Sequence, residues 1–188
     1  MKRLVLILSS LFIMLSLGWS QCDSSEVELW GECYNIEETT FLDLYGNGLT
    51  GEIPPEIENL VNLEELWLNN NQLSGEIPPE IGNLVNLTYL SLSSNQLSGE
   101  IPEIESLVNL TYLSLGGNEL TGEIPPEIRD LVNLTYLNLS SNELTGEIPP
   151  EIGNLQNLTI VYLSSNELTG EIPPEIGNLV NLIRLSLS

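Results

Sequence analysis

The sequence predicts an α/β-type repeat solenoid, with a parallel β-sheet along its concave face, extended and 3-10 segments on its convex face, and little α-helix beyond the amino-terminal residues. Three observations predict it. The tetrapeptide Gly-Glu-Ile-Pro recurs at Gly51, Gly75, Gly99, Gly122, Gly146 and Gly170, a period of 24 residues broken once by a deletion. Leucines two apart, such as Leu66 and Leu68, alternate with polar residues. Paired prolines interrupt every unit except the one that begins at Gly99.

Each unit supplies one short strand, because a two-residue alternation places Leu66 and Leu68 on one face and Glu65, Trp67 and Asn69 on the other. The remainder, for example Pro78-Pro79-Glu80-Ile81-Gly82, cannot become a long α-helix, since the prolines lack amide donors and Gly82 interrupts the next turn. It returns in extended or 3-10 form and points Ile77, Ile81 and Leu84 inward. About seven aliphatic residues per coil, each worth roughly 1.5–3 kcal/mol when buried, leave water only if coils stack on one another. Asn47, Asn71, Asn95, Asn118, Asn142 and Asn166 follow each strand, where an amide can donate to and accept from backbone groups freed by the turn.

The run Leu-x-x-Leu-x-Leu-x-x-Asn-x-Leu-Ser/Thr-Gly-Glu-Ile-Pro-x-x-Ile-Gly-Asn-Leu resembles the 24-residue leucine-rich repeat, in its plant-type Gly-x-Ile-Pro variant, across residues 36 to 188. The resemblance implies a curved or twisted solenoid with an extra short strand near Gly-Glu-Ile, and the binding habit of receptor ectodomains and inhibitor proteins. The segment with Cys22, Trp30, Gly31, Cys33 and Tyr34 departs from the usual plant cysteine-tryptophan cap and looks more like that of secreted bacterial repeat proteins. Receptor signalling is not carried over, as the chain shows no kinase.

Lys2 and Arg3 precede an apolar run from Leu4 to Leu17, which reads as a secretory signal peptide over residues 1–20, with an uncleaved membrane anchor as the alternative. A secreted, extracellular or cell-surface location follows, with no membrane span in the mature chain. In an exported chain the close pair Cys22 and Cys33 is expected to form a disulfide within an amino-terminal cap, residues 21–35, rather than a metal site; lipid attachment at Cys22 is disfavoured by Gln21. The solenoid occupies residues 36–188. Its last repeat is incomplete, so its open coil is expected to mark a truncated product or to self-associate with another copy.

Loss of residues 1–20 leaves Arg129 and Arg184 against 27 acidic residues. Such a charge excludes nucleic acid and anionic membranes as partners. Without histidine, and with neither lysine nor a free thiol in the mature chain, the inventory also disfavours an enzyme; no cofactor and no metal site is expected. Two carboxylates suffice for glycoside hydrolysis, and Asp43, Glu64 and Glu65 offer them, but nothing in the pattern shapes a pocket around them.

Function is sought on the outward strand positions, which form columns along the arc. One column reads Phe41, Glu65, Tyr89, Tyr112, Tyr136, Ile160 and Arg184; the next reads Asp43, Trp67, Ser91, Ser114, Asn138, Tyr162 and Ser186. The candidate ligand-binding residues are Phe41, Glu65, Trp67, Tyr89, Tyr112, Tyr136, Tyr162 and Arg184, whose aromatic surface suits an extracellular protein or glycan. Two alternatives stand beside this: a structural or spacer repeat without a ligand, and ice binding through the hydroxyls of Thr88, Thr111, Thr135 and Thr159 with Ser91 and Ser114. Glutamate rows such as Glu52, Glu76 and Glu100 are read as solvated, with diffuse counter-ions rather than specific calcium. Asn86, Asn109, Asn133, Asn157 and Asn138 match the glycosylation pattern, either as sugar acceptors or as by-products of the repeat.

Overall fold

The computed structural model describes residues 22–188, so the signal-peptide reading of residues 1–20 lies outside the described residues. Among them, seven three-residue strands, from Phe41–Asp43 through Glu65–Trp67, Tyr89–Ser91, Tyr112–Ser114, Tyr136–Asn138 and Ile160–Tyr162 to Arg184–Ser186, form one parallel sheet in chain order. Equivalent residues pair throughout, Leu66 with Leu90, Leu90 with Leu113 and Leu113 with Leu137. The deletion in the third unit therefore leaves this wall in register.

The missing residue is absorbed on the opposite side. Five units carry a single 3-10 turn there, Pro55–Asn59, Pro79–Asn83, Pro126–Asp130, Pro150–Asn154 and Pro174–Asn178, whereas the unit beginning at Gly99 carries none. Each turn starts at a proline whose absent N–H would have been unpaired anyway, and it closes with bonds such as Ile81 N–H to the Pro78 carbonyl at 3.0 Å. Where the turn is lost, a groove of roughly 370 Å³ opens between Ile101, Ile104, Pro125 and their acidic neighbours Glu103, Glu105 and Glu127.

A second parallel sheet, Thr50–Gly51, Gln72–Glu76, Gln96–Gly99 and Glu119–Leu120, lines the limb that leaves the first wall. Its register differs: Gly75 pairs with Leu97, two residues ahead of its equivalent Gly99, and the same slip recurs in the bridges Glu123 to Thr145 and Glu147 to Thr169. Coils are thus in step on one wall and offset by two residues on the other. Glycine at the turn out of this sheet is required by conformation and by space: Gly146 has φ +75°, and a Cβ there would lie 2.8 Å from Cγ of Glu123 in the preceding coil.

The core is the aliphatic column that the repeat predicts. Leu63, Leu66, Leu68, Leu73, Ile81 and Leu84 are fully buried, and their counterparts stay buried up to Leu163, beyond which Leu168 and Ile176 are only partly covered. Three hydrogen-bonded side-chain ladders tie the coils. Asn142 donates from Nδ2 to the carbonyls of Leu139 in its own coil (3.0 Å) and Leu115 in the preceding one (3.1 Å), while its Oδ1 accepts Leu120 N–H (3.1 Å). Asn71, Asn95, Asn118 and Asn166 repeat this arrangement. Asn47 does not: it belongs to the first coil, has no earlier coil to bridge, and is exposed.

The second ladder was not expected. Nδ2 of Asn62, Asn86, Asn109, Asn133, Asn157 and Asn181 donates to a carbonyl of the coil before, at 2.8–3.0 Å. The asparagines of the sequons at Asn86, Asn109, Asn133 and Asn157 thus use their side-chain amides to bridge coils. In the third ladder, Oγ1 of Thr88, Thr111, Thr135 and Thr159 donates to the preceding coil's carbonyls at 2.9–3.1 Å.

Residues 22–35 close one end. Strands Glu26–Leu29 and Glu32–Asn35 form an antiparallel hairpin that places Val27 and Leu29 in the core, and Trp30 donates from Nε1 to the Glu52 carbonyl at 3.2 Å. The Cys22–Cys33 disulfide ties the segment before the hairpin to its second strand, with the Cα atoms 5.4 Å apart. At the other end Val180 and Ile183 are exposed, and Leu182, Leu185 and Leu187 are half-buried.

The asparagine ladder carries a direct test. Asn142→Ala strands a buried N–H and two buried carbonyls, so it should lower the unfolding free energy by about 2–3 kcal/mol in urea titrations. Asn47→Ala, at the exposed equivalent position, should lower it by less than about 0.5 kcal/mol.

Candidate functional site

The sheet wall determines where the candidate side chains fall. Because its strands pair in step about 4.8 Å apart, identical side chains at one position are carried over each other. Tyr89 stacks on Tyr112 with ring centroids 4.1 Å apart and planes at 6°, and Tyr112 stacks on Tyr136 at 4.2 Å and 6°. Trp67 enters from the neighbouring column and lies on Tyr89 at 4.0 Å and 10°. Tyr162, also from that column, meets Tyr136 edge-on at 6.0 Å and 71°. Five aromatic rings thus form one continuous stack along the inner wall.

Each end of the stack is held by a charged side chain. Trp67 donates from Nε1 to Oε2 of Glu65 at 3.0 Å. At the far end the Arg184 guanidinium donates to the Tyr162 hydroxyl at 2.9 Å. The structure therefore brings together seven of the eight candidate residues: Glu65, Trp67, Tyr89, Tyr112, Tyr136, Tyr162 and Arg184. Phe41 shares their sheet and is 55 % exposed, but it makes no ring contact with the stack among the described residues.

One expectation for this surface needs correction. Ser91 and Ser114 lie on the outward face but are covered: flanked by their larger register partners Trp67 and Asn138, each is only 2 % exposed. They take no part in a hydroxyl array. Stacking against sugar rings is also restricted, since the faces of Tyr89 and Tyr112 are covered by their neighbours and offer only edges and hydroxyls. The sequence signal for the stack was available in the recurrence of tyrosine at the same position of three successive units. The lean of Trp67 and Tyr162 out of their own column was not.

Burial within the stack disfavours the phenolate. It pushes Tyr136 up to about 12, reinforced by Tyr112 beside it, and raises Tyr89 in the same way. As for metals, Cys22, Glu26 and Cys33 lie close together, but both sulfurs belong to the disulfide. The described residues contain no helix long and apolar enough to cross a membrane.

A family model described as a leucine-rich repeat region matches residues 94–188, and leucine-rich repeat models of two further kinds match residues 40–80 and 83–101. The chain belongs to the leucine-rich repeat family. Among solved structures, the Arabidopsis receptor kinase HAESA, in complex with the peptide hormone IDA and the co-receptor SERK1, is 47 % identical over 75 % of this chain, with a TM-score of 0.71. A plant ice-binding protein is 40 % identical over 85 % of this chain and 50 % of its own, with a TM-score of 0.66. A Leptospira interrogans leucine-rich repeat protein is 43 % identical over 73 % of this chain and 34 % of its own, with a TM-score of 0.63. The chain spans only 24 % of the length of the receptor chain. No curated protein sequence matches it.

The raised phenols fix the sign of a pH effect. Between the ordinary tyrosine value of about 10 and about 12 the unfolded chain releases protons that the folded chain keeps, so stability is fully present below pH 10 and falls as pH rises through this window. Urea midpoints measured from pH 9 to 12 should decline, and Tyr136→Phe should make the decline shallower.

Proposed function

We propose that this chain is an extracellular binding module that holds a protein partner against its inner sheet wall, with Glu65, Trp67, Tyr89, Tyr112, Tyr136, Tyr162 and Arg184 at the contact. The observation that carries this reading is the continuous ring stack, which is ordered before any partner arrives. Aromatic side chains already fixed by stacking lose little conformational freedom on binding, so their exposed edges and hydroxyls contribute affinity at small entropic cost. A protein surface suits the edges of Tyr89 and Tyr112, whose faces are both covered, better than a sugar ring. The receptor neighbour that binds a peptide hormone and a co-receptor supports the same class of partner, and the disulfide-joined hairpin supports an oxidising, extracellular setting. Partner capture from extracellular fluid should fall at least tenfold for the folded Y89A/Y112A/Y136A variant; undiminished capture would refute the inner-wall site.

A second reading, binding to an ice lattice, is supported by the ice-binding neighbour and by the column Thr88, Thr111, Thr135 and Thr159, whose rotamers are fixed by bonds to the preceding coil. Under it the chain shows thermal hysteresis that T111K/T135K removes and Y89A/Y112A/Y136A leaves in place. Absence of hysteresis in the unsubstituted chain rules it out.

A further inference from the structure

The ring stack has two unlike ends, and the difference points to a ligand. At the far end the protein supplies its own cation, the Arg184 guanidinium bonded to Tyr162. At the near end one indole face of Trp67 lies on Tyr89, and the other turns toward the first strand of the wall, Phe41–Asp43. Among the described residues no ring and no cation contacts that second face.

The surroundings of the open face are acceptors and aromatics. Asp43 is the register partner of Trp67 and Phe41 that of Glu65, and Asp43, Phe41 and Tyr45 are exposed. Asp43 Oδ1 accepts the Tyr45 N–H at 3.0 Å and Glu65 Oε2 accepts the indole N–H, which orients both carboxylates and leaves each an oxygen with lone pairs to spare. Asn69, two residues beyond Trp67, adds a buried Oδ1 with no donor among the described residues. Among the described residues the arginines are Arg129, in the 3-10 turn Pro126–Asp130 on the opposite side, and Arg184, on the last strand of the wall.

We infer that this end of the stack is a binding site for a guanidinium group, an arginine side chain of the protein partner, lying on the open face of Trp67 and paired with Asp43 and Glu65. The inference rests on the inner-wall reading and names the chemistry of one of its contacts. A planar cation gains from the electron-rich indole face and from two carboxylates at once, and guanidinium stacks on a ring while still donating in its own plane. The acidic chain, 27 carboxylates in all, draws a basic partner surface toward this wall.

The test uses N-acetyl-arginine amide as probe, with N-acetyl-citrulline amide as its uncharged isostere, followed by the indole N–H resonances of the ¹⁵N-labelled protein. A saturable shift of the Trp67 resonance by the arginine probe is expected, with that of Trp30, bonded to Glu52 in the terminal hairpin, unmoved. The citrulline probe should produce no shift, and D43N/E65Q, which keeps the indole, should weaken arginine binding at least tenfold. No saturable shift, equal shifts from both probes, or unchanged binding by the double variant each overturns the site. Such a failure, alongside partner capture that still depends on Tyr89, Tyr112 and Tyr136, removes the arginine contact and spares the inner-wall reading; capture independent of those tyrosines removes the reading itself.

Discussion

The structure depends on one constraint: every coil must satisfy its freed backbone groups with the coil before it. A chain that turns sharply after a three-residue strand leaves carbonyls and amides without partners inside an aliphatic core, where each orphan costs about 1–3 kcal/mol. The buried asparagines resolve this by bonding to two successive coils at once, as Asn142 does with Leu139, Leu115 and Leu120. That solution works only if the coils are stacked in step. The sheet register, the burial of the leucines and the columns along the inner wall follow from it.

The aromatic stack is a further consequence of the same register. Strand spacing of about 4.8 Å is longer than the 4.0–4.2 Å between ring centroids, so the rings lean to make contact and cover one another's faces. Leaning changes what the wall presents. Three tyrosines that would otherwise be independent sticky points become a single ridge of edges and hydroxyls, ended by an indole beside carboxylates and by a phenol beside a guanidinium. The uniform repeat thereby acquires a direction, because side chains of opposite charge hold its two ends.

Acidic side chains sit where this architecture tolerates them. Glu52, Glu76, Glu100, Glu123 and Glu147 of the Gly-Glu-Ile-Pro turns each lie over the glycine of the next coil, close enough that a Cβ would collide with the side chain, so glycine is held there by its neighbour as well as by its own positive φ. The carboxylates stay exposed, as with Glu123 and Glu147, and the buried surface stays almost free of ionisable groups. The coil with the shortened return is the exception in shape rather than in charge: it loses its 3-10 turn while keeping the inner wall in register.

Sequence alone determined the repeat length, the inward leucines, the strand positions, the pairing of Cys22 with Cys33 and the column of Tyr89, Tyr112 and Tyr136, because all of these follow from periodicity and residue type, which are local properties. It did not reveal that Asn86 and its equivalents form a second amide ladder, that Asn47 stands outside the first, or that Ser91 and Ser114 are covered. Those facts depend on which coil lies next to which, and on how far a side chain such as Trp67 reaches out of its own column. Tertiary structure decided them because a side chain's partner in a solenoid is one full turn of the chain away, and only stacking brings the two within bonding distance.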